Sequence, residues 1–158
     1  MKKEVAIFAA GCFWGVQAVF DLVPGVINTI VGYIGGTNKI KPTYNLVCTG
    51  LTGHVEAIKI EFDPKKVSYK KLLKIFWMNH NPTTINRQGP DIGSQYRSAI
   101  FYTNERQKEL AIKSKEEYQK ELKNKIVTEI VKATEFYHAE DYHQKYYKTN
   151  NITCHIKT

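Results

Sequence analysis

The amino-acid sequence predicts an α+β fold, a two-layer sandwich in which helices pack on a mixed β-sheet. Helix-like and strand-like segments alternate along most of the chain, but the second and third strands follow one another without a helix between them. A direct connection between two successive strands favours a mixed sheet over a purely parallel one. With 158 residues, 42% of them hydrophobic, the chain is long enough for one core and short for two. We therefore expect a single domain over residues 1–158.

Hydrophobic periodicity and the usual stop signals define the elements. Runs rich in Val and Ile predict strands, and apolar residues at helical spacing predict helices. Ser68 and the pair Asn104 and Gln107 are expected to cap the two helices that they precede. In chain order the predicted elements are strand Glu4–Ala9, a helix ending at Leu22, strands Val26–Tyr33 and His54–Phe62, helix Ser68–His80, strand Ala99–Tyr102, a helix from Asn104 to about Lys123, strand Lys125–Ala133 and a short helix within Phe136–Tyr147.

Two long segments, residues 38–53 and 82–98, have no regular period and are rich in glycine, proline and polar residues. Connections of this length are uncommon without a role, so both are predicted to be functional loops. The last residues, about 148–158, are polar and are expected to form a mobile tail.

Composition argues against several classes of function. The formal net charge of +8 comes largely from lysines that are interspersed with glutamates on predicted helix faces, and only three arginines are present. Such an ion-paired surface favours solvation over nucleic-acid binding. No apolar run approaches the length of a membrane span. We expect a monomer with neither a nucleic-acid nor a membrane partner.

The N-terminus and the cysteines together favour a cytoplasmic protein. Ala9–Cys12 resembles a bacterial lipoprotein signal, but the apolar run Val5–Ala10 is shorter than an h-region and Glu4 interrupts the basic start. Three widely spaced cysteines form no disulfide framework, which fits a reducing compartment. No Cys-x-x-Cys or His-Glu-x-x-His spacing occurs, so neither a metal nor another cofactor is expected.

Cys12 is the first candidate for chemistry, because it lies between two glycines where the first strand ends and the first helix begins. The amides and dipole of a helix N-terminus favour a thiolate, so this position suits a nucleophile. The alternative is a buried, inert thiol at the end of a strand. Phe13 and Trp14, which follow directly, could wall an apolar pocket for a small group.

Glu56 is the second candidate. Alternation along the third strand places it on the same face as Ile58, Ile60 and Phe62. A carboxylate there either lies at the rim of the sheet beside a basic partner or has its pKa raised by desolvation. A raised pKa is what a general acid needs near neutral pH.

Four motifs together resemble the A-type peptide methionine sulfoxide reductases. They are GCFWG at 11–15, PTYNLVCTGLTGHVEA at 42–57, NRQGPDIGSQYRSAI at 86–100 and FYHAEDYHQKYY at 136–147. Enzymes of this family reverse one epimer of methionine sulfoxide. The resemblance covers nearly the whole chain and implies an α+β two-layer fold, for which we expect a ferredoxin-like core.

The resemblance implies a reaction for the two candidates. Cys12 would attack the sulfur of methionine-S-sulfoxide, free or protein-bound, release methionine and be left as a sulfenic acid. Glu56 would hydrogen-bond the sulfoxide oxygen and donate the proton. The outcome would be protein repair after oxidation.

The resemblance also implies the residues that hold the substrate. Phe13 and Trp14 would hold its methyl group, and Tyr44 and Tyr96 would reach the sulfoxide oxygen. Asp91 would lie in the polar network around the site. A pocket of this kind can select one epimer, because methyl, oxygen and main chain must each meet a different wall.

The usual reductant of the family is thioredoxin, which acts on a disulfide formed after the sulfenic acid. Many members carry a glycine-rich tail with resolving cysteines, but here residues 150–155 contain no glycine. We predict Cys154 as the resolving thiol because it occupies the tail, with a bystander thiol as the alternative. Cys48 is interpreted as a packing residue.

Two other classes of function stay open beside the reductase. A basic binding module with structural cysteines would depend on charge, and its binding would weaken steeply with salt. A thiol peroxidase would use Cys12 on peroxide and would need no apolar methyl pocket.

Overall fold

The computed structural model describes residues 2–157, so Met1 and Thr158, the two ends of the predicted domain, lie outside the described residues. In chain order the elements are β1 (Glu4–Ala10), α1 (Phe13–Asp21), β2 (Val26–Ile34), α2 (Tyr44–Cys48), β3 (Val55–Phe62), α3 (Tyr69–Met78), β4 (Arg87–Gln88), β5 (Asp91–Ile92), β6 (Ser98–Tyr102), α4 (Glu105–Gln119), β7 (Glu129–Lys132), β8 (Tyr137–His138) and α5 (Tyr146–Thr149). Short 3₁₀ turns lie at Ser94–Tyr96 and Asp141–His143. Within these residues no helix is both long and apolar enough to cross a membrane.

Six strands form one mixed sheet in the order β7-β6-β1-β3-β2-β8. Neighbouring strands are antiparallel except β6 and β7, which are parallel. The four central strands, with α1 after β1 and α3 after β3, follow the β-α-β-β-α-β order of a ferredoxin-like core. The predicted α+β fold with a mixed sheet is therefore confirmed.

The helices cover one face of the sheet and bury the main core there. Phe8 and Ile60 of the sheet meet Phe20 of α1 and Phe76 of α3 in one continuous cluster. Each fully buried apolar side chain of this size contributes about 1.5–3 kcal/mol relative to an exposed one. On the opposite face, residues 133–136 pack against a smaller cluster. The central strands are thus held from both sides, which makes their ends a rigid support for a site.

The predicted helix caps are confirmed. Oγ of Ser68 accepts a 3.0 Å hydrogen bond from the backbone N–H of Lys71, at the start of α3. Oδ1 of Asn104 accepts a 2.9 Å bond from the N–H of Gln107, at the start of α4. These short-range caps were visible in the sequence because both partners lie within three residues of each other.

The last predicted strand is shorter than expected. Only Glu129–Lys132 pairs with β6, although alternation suggested a strand over Lys125–Ala133. The N–H of Ile126 donates instead to the side chain of Gln119, and the N–H of Val127 donates to the carbonyl of Pro82. Local tertiary partners therefore replace the sheet ladder in the first half of this segment.

Three predicted segments were wrong. Residues 82–98 are not all loop, because they contain β4, β5 and a 3₁₀ turn. Residues 38–53 are not all loop, because Thr43 caps the short helix α2 through its hydroxyl, which accepts from the N–H of Leu46. Residues 136–147 do not form one helix but a strand, a 3₁₀ turn and the start of α5. The side-chain amide of Gln144 bonds both backbone groups of Val31 at 2.9–3.0 Å, so this segment follows the edge of the sheet instead of coiling on itself.

Candidate active site

The predicted nucleophile lies at the junction of β1 and α1. Gly11 has a φ of 94°, in the left-handed region that favours glycine, and a Cβ there would lie 2.7 Å from the side chain of Gln88. Cys12 follows as the residue that precedes the first helical residue, Phe13. The tight turn therefore presents the thiol at the start of a helix, as the sequence predicted.

Burial controls the protonation of Cys12. Desolvation raises the pKa of this half-buried thiol, and the charges of Glu56 and Asp91 act in the same direction. The backbone N–H groups of Trp14 and Gly15 hydrogen-bond the thiol and lower its pKa, but the balance is a pKa of about 11. The helix start therefore lowers the pKa of the thiol, as expected, but by less than desolvation raises it.

Glu56 is the buried acid of the site. It is 1% exposed, and its Oε1 accepts a 3.1 Å hydrogen bond from the N–H of Phe13. Desolvation raises its pKa to about 7, against the opposing effect of that bond and with a smaller raising effect of Asp91. The salt bridges found within residues 2–157 do not include it. Of the two alternatives, the desolvated acid is therefore the one that the structure contains.

Tyr44 and Tyr96 come from the two long segments and lie beside the acid. Desolvation raises the pKa of both phenols, to about 12 for Tyr96, and the charge of Glu56 adds to the effect at each. Cys12 and Asp91 also raise the pKa of Tyr96, so the five groups share one electrostatic environment. Both phenols stay protonated at neutral pH and can donate hydrogen bonds.

Phe13 and Trp14 form an aromatic wall next to the nucleophile. Phe13 is buried, with its ring 5.7 Å from that of Tyr33. The indole of Trp14 stacks on Tyr146 at a centroid distance of 3.8 Å, and its Nε1–H donates a 2.9 Å hydrogen bond to Nδ1 of His143. The orientation of the indole is therefore held from two sides.

Two residues of this site were missed by the sequence analysis. His143 is fully buried and packs against Phe13 and Tyr44 at centroid distances of 5.1 Å and 4.6 Å. The carboxylate of Glu140 accepts from the hydroxyl of Tyr33 at 2.8 Å and from the N–H of Tyr44 at 2.9 Å. Both lie in the 136–147 motif, whose density of polar and aromatic residues was the available signal.

The two other cysteines differ in their surroundings. Cys48 is exposed at the end of α2, where the hydroxyl of Tyr44 donates towards its sulfur, so the interpretation as a packing residue was wrong. Cys154 is half-buried, and together with Cys12 it lines a cavity of about 650 Å³. All three thiols are free in this structure.

The residues present do not form a metal site. In the described part of the chain, no group of three His, Cys, Asp or Glu side chains could hold a metal ion. Both ring nitrogens of His80, which lines the cavity beside Cys12, are already bonded, to the carbonyl of Phe76 and the hydroxyl of Ser98. The described residues of the site offer a thiol, a buried carboxyl group whose pKa is about 7, and two phenols beside an aromatic wall.

Comparisons with known proteins show the family of this chain and agree with its fold. The family profile described as peptide methionine sulfoxide reductase matches residues 4–158. A peptide methionine sulfoxide reductase MsrA of Methanosarcina acetivorans is 61% identical over 155 residues, which are 97% of this chain and 82% of that protein. The crystal structure of Mxr1 from Saccharomyces cerevisiae in reduced form superposes with a TM-score of 0.92 at 34% identity, over 99% of this chain and 93% of that one. Mxr1 in complex with Trx2 matches with a TM-score of 0.64 at 25% identity, over 92% and 85%.

Proposed function

Because the chain belongs to the peptide methionine sulfoxide reductase family, and is an oxidoreductase of that family, we propose that it reduces the S epimer of methionine sulfoxide, free or within polypeptides. The observation that carries the proposal is the pairing of a buried acid, Glu56, with the thiol of Cys12 around a site walled by Phe13 and Trp14. A sulfoxide oxygen leaves its sulfur readily only when it is protonated. An acid whose pKa lies near 7 is suited to supply that proton.

The proposed reaction is a two-electron exchange between two sulfur atoms. Sγ of Cys12 attacks the sulfoxide sulfur while Glu56 protonates the oxygen, and the thiol proton replaces the proton that Glu56 has given. The hydroxyl then moves from the substrate sulfur to Sγ, and the transient bond between Sγ and the substrate sulfur breaks with its electron pair on methionine. The sulfur–oxygen bond of the substrate is thereby broken, and the oxygen remains on Cys12 as a sulfenic acid. Methionine sulfur gains two electrons and cysteine sulfur loses two, so no other reductant enters this step.

Substrate recognition is divided among three groups of residues. Phe13 and Trp14 contact the methyl group, and Tyr44 and Tyr96 donate hydrogen bonds to the oxygen beside Glu56. Asp91 contributes to the polar surroundings, and its charge disfavours ionisation of both Cys12 and Glu56. A substrate of the opposite configuration would place its oxygen against the aromatic wall.

Regeneration is proposed to use the tail thiol. Cys154 attacks the Cys12 sulfenic acid, water leaves, and a Cys12–Cys154 disulfide forms, which thioredoxin then reduces by thiol–disulfide exchange. The cavity that both thiols line and the solved complex of Mxr1 with Trx2 support this sequence. We also propose that the protein acts as a cytoplasmic monomer in protein repair, without a nucleic-acid or membrane partner.

The experiment that tests the function presents each epimer of methionine sulfoxide with dithiothreitol and measures methionine by chromatography. We expect depletion of the S epimer only, and no turnover by Cys12→Ser. Depletion of neither epimer would refute the proposal. Consumption of hydrogen peroxide through Cys12 at a comparable rate would favour the peroxidase, and salt-sensitive binding that survives Cys12→Ser would favour the binding module.

A further inference from the structure

We propose that Asn79 is a positioning residue for the resolving thiol, because its side chain holds the backbone of Lys157 and so keeps Cys154 beside the cavity that Cys12 lines. The inference rests on the resolving role proposed for Cys154. It concerns how that thiol is delivered, which the family's motifs do not describe.

The contact is a pair of hydrogen bonds of opposite polarity. Nδ2 of Asn79 donates to the carbonyl of Lys157 at 2.8 Å, and Oδ1 of Asn79 accepts from the N–H of Lys157 at 2.9 Å. Nδ2 also donates to the carbonyl of Ile75 at 2.8 Å, within α3. The amide thus pairs with one backbone residue as a neighbouring strand would, and the third bond fixes its rotamer.

The chain is also held before Cys154. The N–H of Ile152, which follows α5, donates to the carbonyl of Tyr147 within that helix at 2.8 Å. Between Cys154 and Lys157, the side chain of Ile156 packs against the main core. Residues 150–157, here called the strap, are therefore attached to the body on both sides of the thiol.

The strap forms part of the lining of the cavity that Cys12 also lines. Cys12, Tyr147, Asn79 and Cys154 all line the cavity of about 650 Å³. A thiol attached at both ends explores a smaller volume than one at the end of a free tail, so its effective concentration at Cys12 is higher. Asn79 therefore accelerates disulfide formation without touching the groups that reduce the sulfoxide.

The test is a single-turnover experiment on Asn79→Ala with methionine-S-sulfoxide. Released methionine is measured by chromatography, and the Cys12–Cys154 disulfide is measured by mass spectrometry after alkylation. We expect an unchanged methionine rate and disulfide formation slowed by about tenfold. The matched control is Asn81→Ala, because Asn81 lines the same cavity but its side chain accepts from Thr83 and not from the strap. That control should form the disulfide at the wild-type rate.

A second variant and a second readout separate positioning from general stability. Asn79→Asp keeps the acceptor for the N–H of Lys157 and loses the donor. Its rate of disulfide formation should therefore lie between those of the wild type and Asn79→Ala. Amide hydrogen exchange at residues 152–157 should accelerate in Asn79→Ala, while exchange in the central strands stays unchanged.

Several outcomes would contradict the inference. If Asn79→Ala forms the disulfide as fast as the wild type or faster, the inference is overturned and the resolving role of Cys154 is left intact. Unchanged amide hydrogen exchange in the strap of Asn79→Ala would have the same meaning. Absence of any Cys12–Cys154 disulfide in the wild type, after methionine has been released, overturns the resolving role and this inference with it.

Discussion

The backbone N–H of Phe13 donates a hydrogen bond to Oε1 of Glu56, and this 3.1 Å contact joins the helix that begins beside the nucleophile to the acid on the central strand. It opposes the effect of burial on Glu56 without overcoming it, which leaves the pKa of the acid near 7. The same contact fixes the distance between the turn that carries Cys12 and the carboxyl group of Glu56. The proposed acid and the proposed nucleophile are therefore positioned by one backbone bond.

We expect Glu56→Gln to bind the sulfoxide and to form methionine about 10²–10⁴-fold more slowly, because the amide keeps the acceptor for Phe13 but has no acidic proton. Single-turnover methionine release checks this. Glu61→Gln, on the same strand, is the matched control and should react at the wild-type rate. An unchanged rate in Glu56→Gln would remove the acid role.

The raised pKa of Glu56 predicts a stability that falls as pH rises. In the folded protein the carboxyl titrates near 7, whereas the ordinary value is 4.5, so between these values the folded state retains a proton that the unfolded state has lost. The free energy of unfolding of the wild type should fall by up to about 3 kcal/mol across that pH window because of this group. Above the window this group should cause no further loss. Urea unfolding at pH 4.5 and pH 8 should show the loss in the wild type and not in Glu56→Gln. Equal losses in the two proteins would mean that the pKa of Glu56 is not raised in the folded protein.

Alkylation of Cys12 in the free enzyme should be slow at neutral pH. Burial raises the pKa of the thiol to about 11, and thiolate is the reactive form. In a Cys48→Ser/Cys154→Ser background, the rate with iodoacetamide should still be rising at pH 9. Adding Glu56→Gln removes one negative charge beside the thiol and should shift the profile to lower pH. A rate that levels off below pH 8 would show instead that the helix N-terminus prevails.

His143→Phe should weaken substrate binding more than it slows turnover. The substitution keeps an aromatic ring against Phe13 and Tyr44 but removes the acceptor for the indole N–H of Trp14. Loss of one such bond is expected to raise KM by about tenfold. Steady-state kinetics and the emission of Trp14 in a Trp77→Phe background measure the effect. The control is His138→Phe on an exposed position of β8, and a KM equal to wild type in both variants would contradict the role.

Gly11→Ala should destabilise the protein and impair activity together. A Cβ at this position meets the side chain of Gln88 at 2.7 Å, on a backbone with φ of 94°. The combined cost is expected to be about 1–3 kcal/mol, because both strain and overlap must be relieved at the turn that presents Cys12. Gly89→Ala is the control, since its φ of 57° is also left-handed but its Cβ would meet nothing within 4 Å. The Tm of thermal unfolding should fall more for Gly11→Ala than for Gly89→Ala. Equal falls in Tm would assign the effect to the backbone conformation alone.

Local patterns were sufficient for the central strands and the helix caps. Large apolar residues at alternate positions predicted β3, and side chains three residues from their backbone partners identified the starts of α3 and α4. The position of Cys12 at a strand–helix turn and of Glu56 on an apolar face follows from the same short-range periodicity. These features depend on residues close in the chain, which is why the sequence alone predicted them.

The segment 136–147 depends on distant partners, whereas the missed helix α2 begins with a local cap at Thr43. Residues 136–147 bond to β2 and to the start of α2, more than ninety positions away, through Gln144 and Glu140. His143 becomes part of the site only because the chain brings it 129 positions back to Trp14. Periodicity contains no information on such contacts, so neither residue could be assigned from its neighbours.

The sequence by itself determined that a thiol begins a helix, that a carboxylate shares a face with large apolar residues, and that two irregular segments flank them. Only the tertiary structure decided their protonation, because desolvation depends on what covers a group and not on what precedes it in the chain. It placed Cys12 where desolvation outweighs the effect of the helix start on the pKa, chose between the two alternatives for Glu56, left Cys48 exposed and bonded the strap to Asn79 across 78 positions.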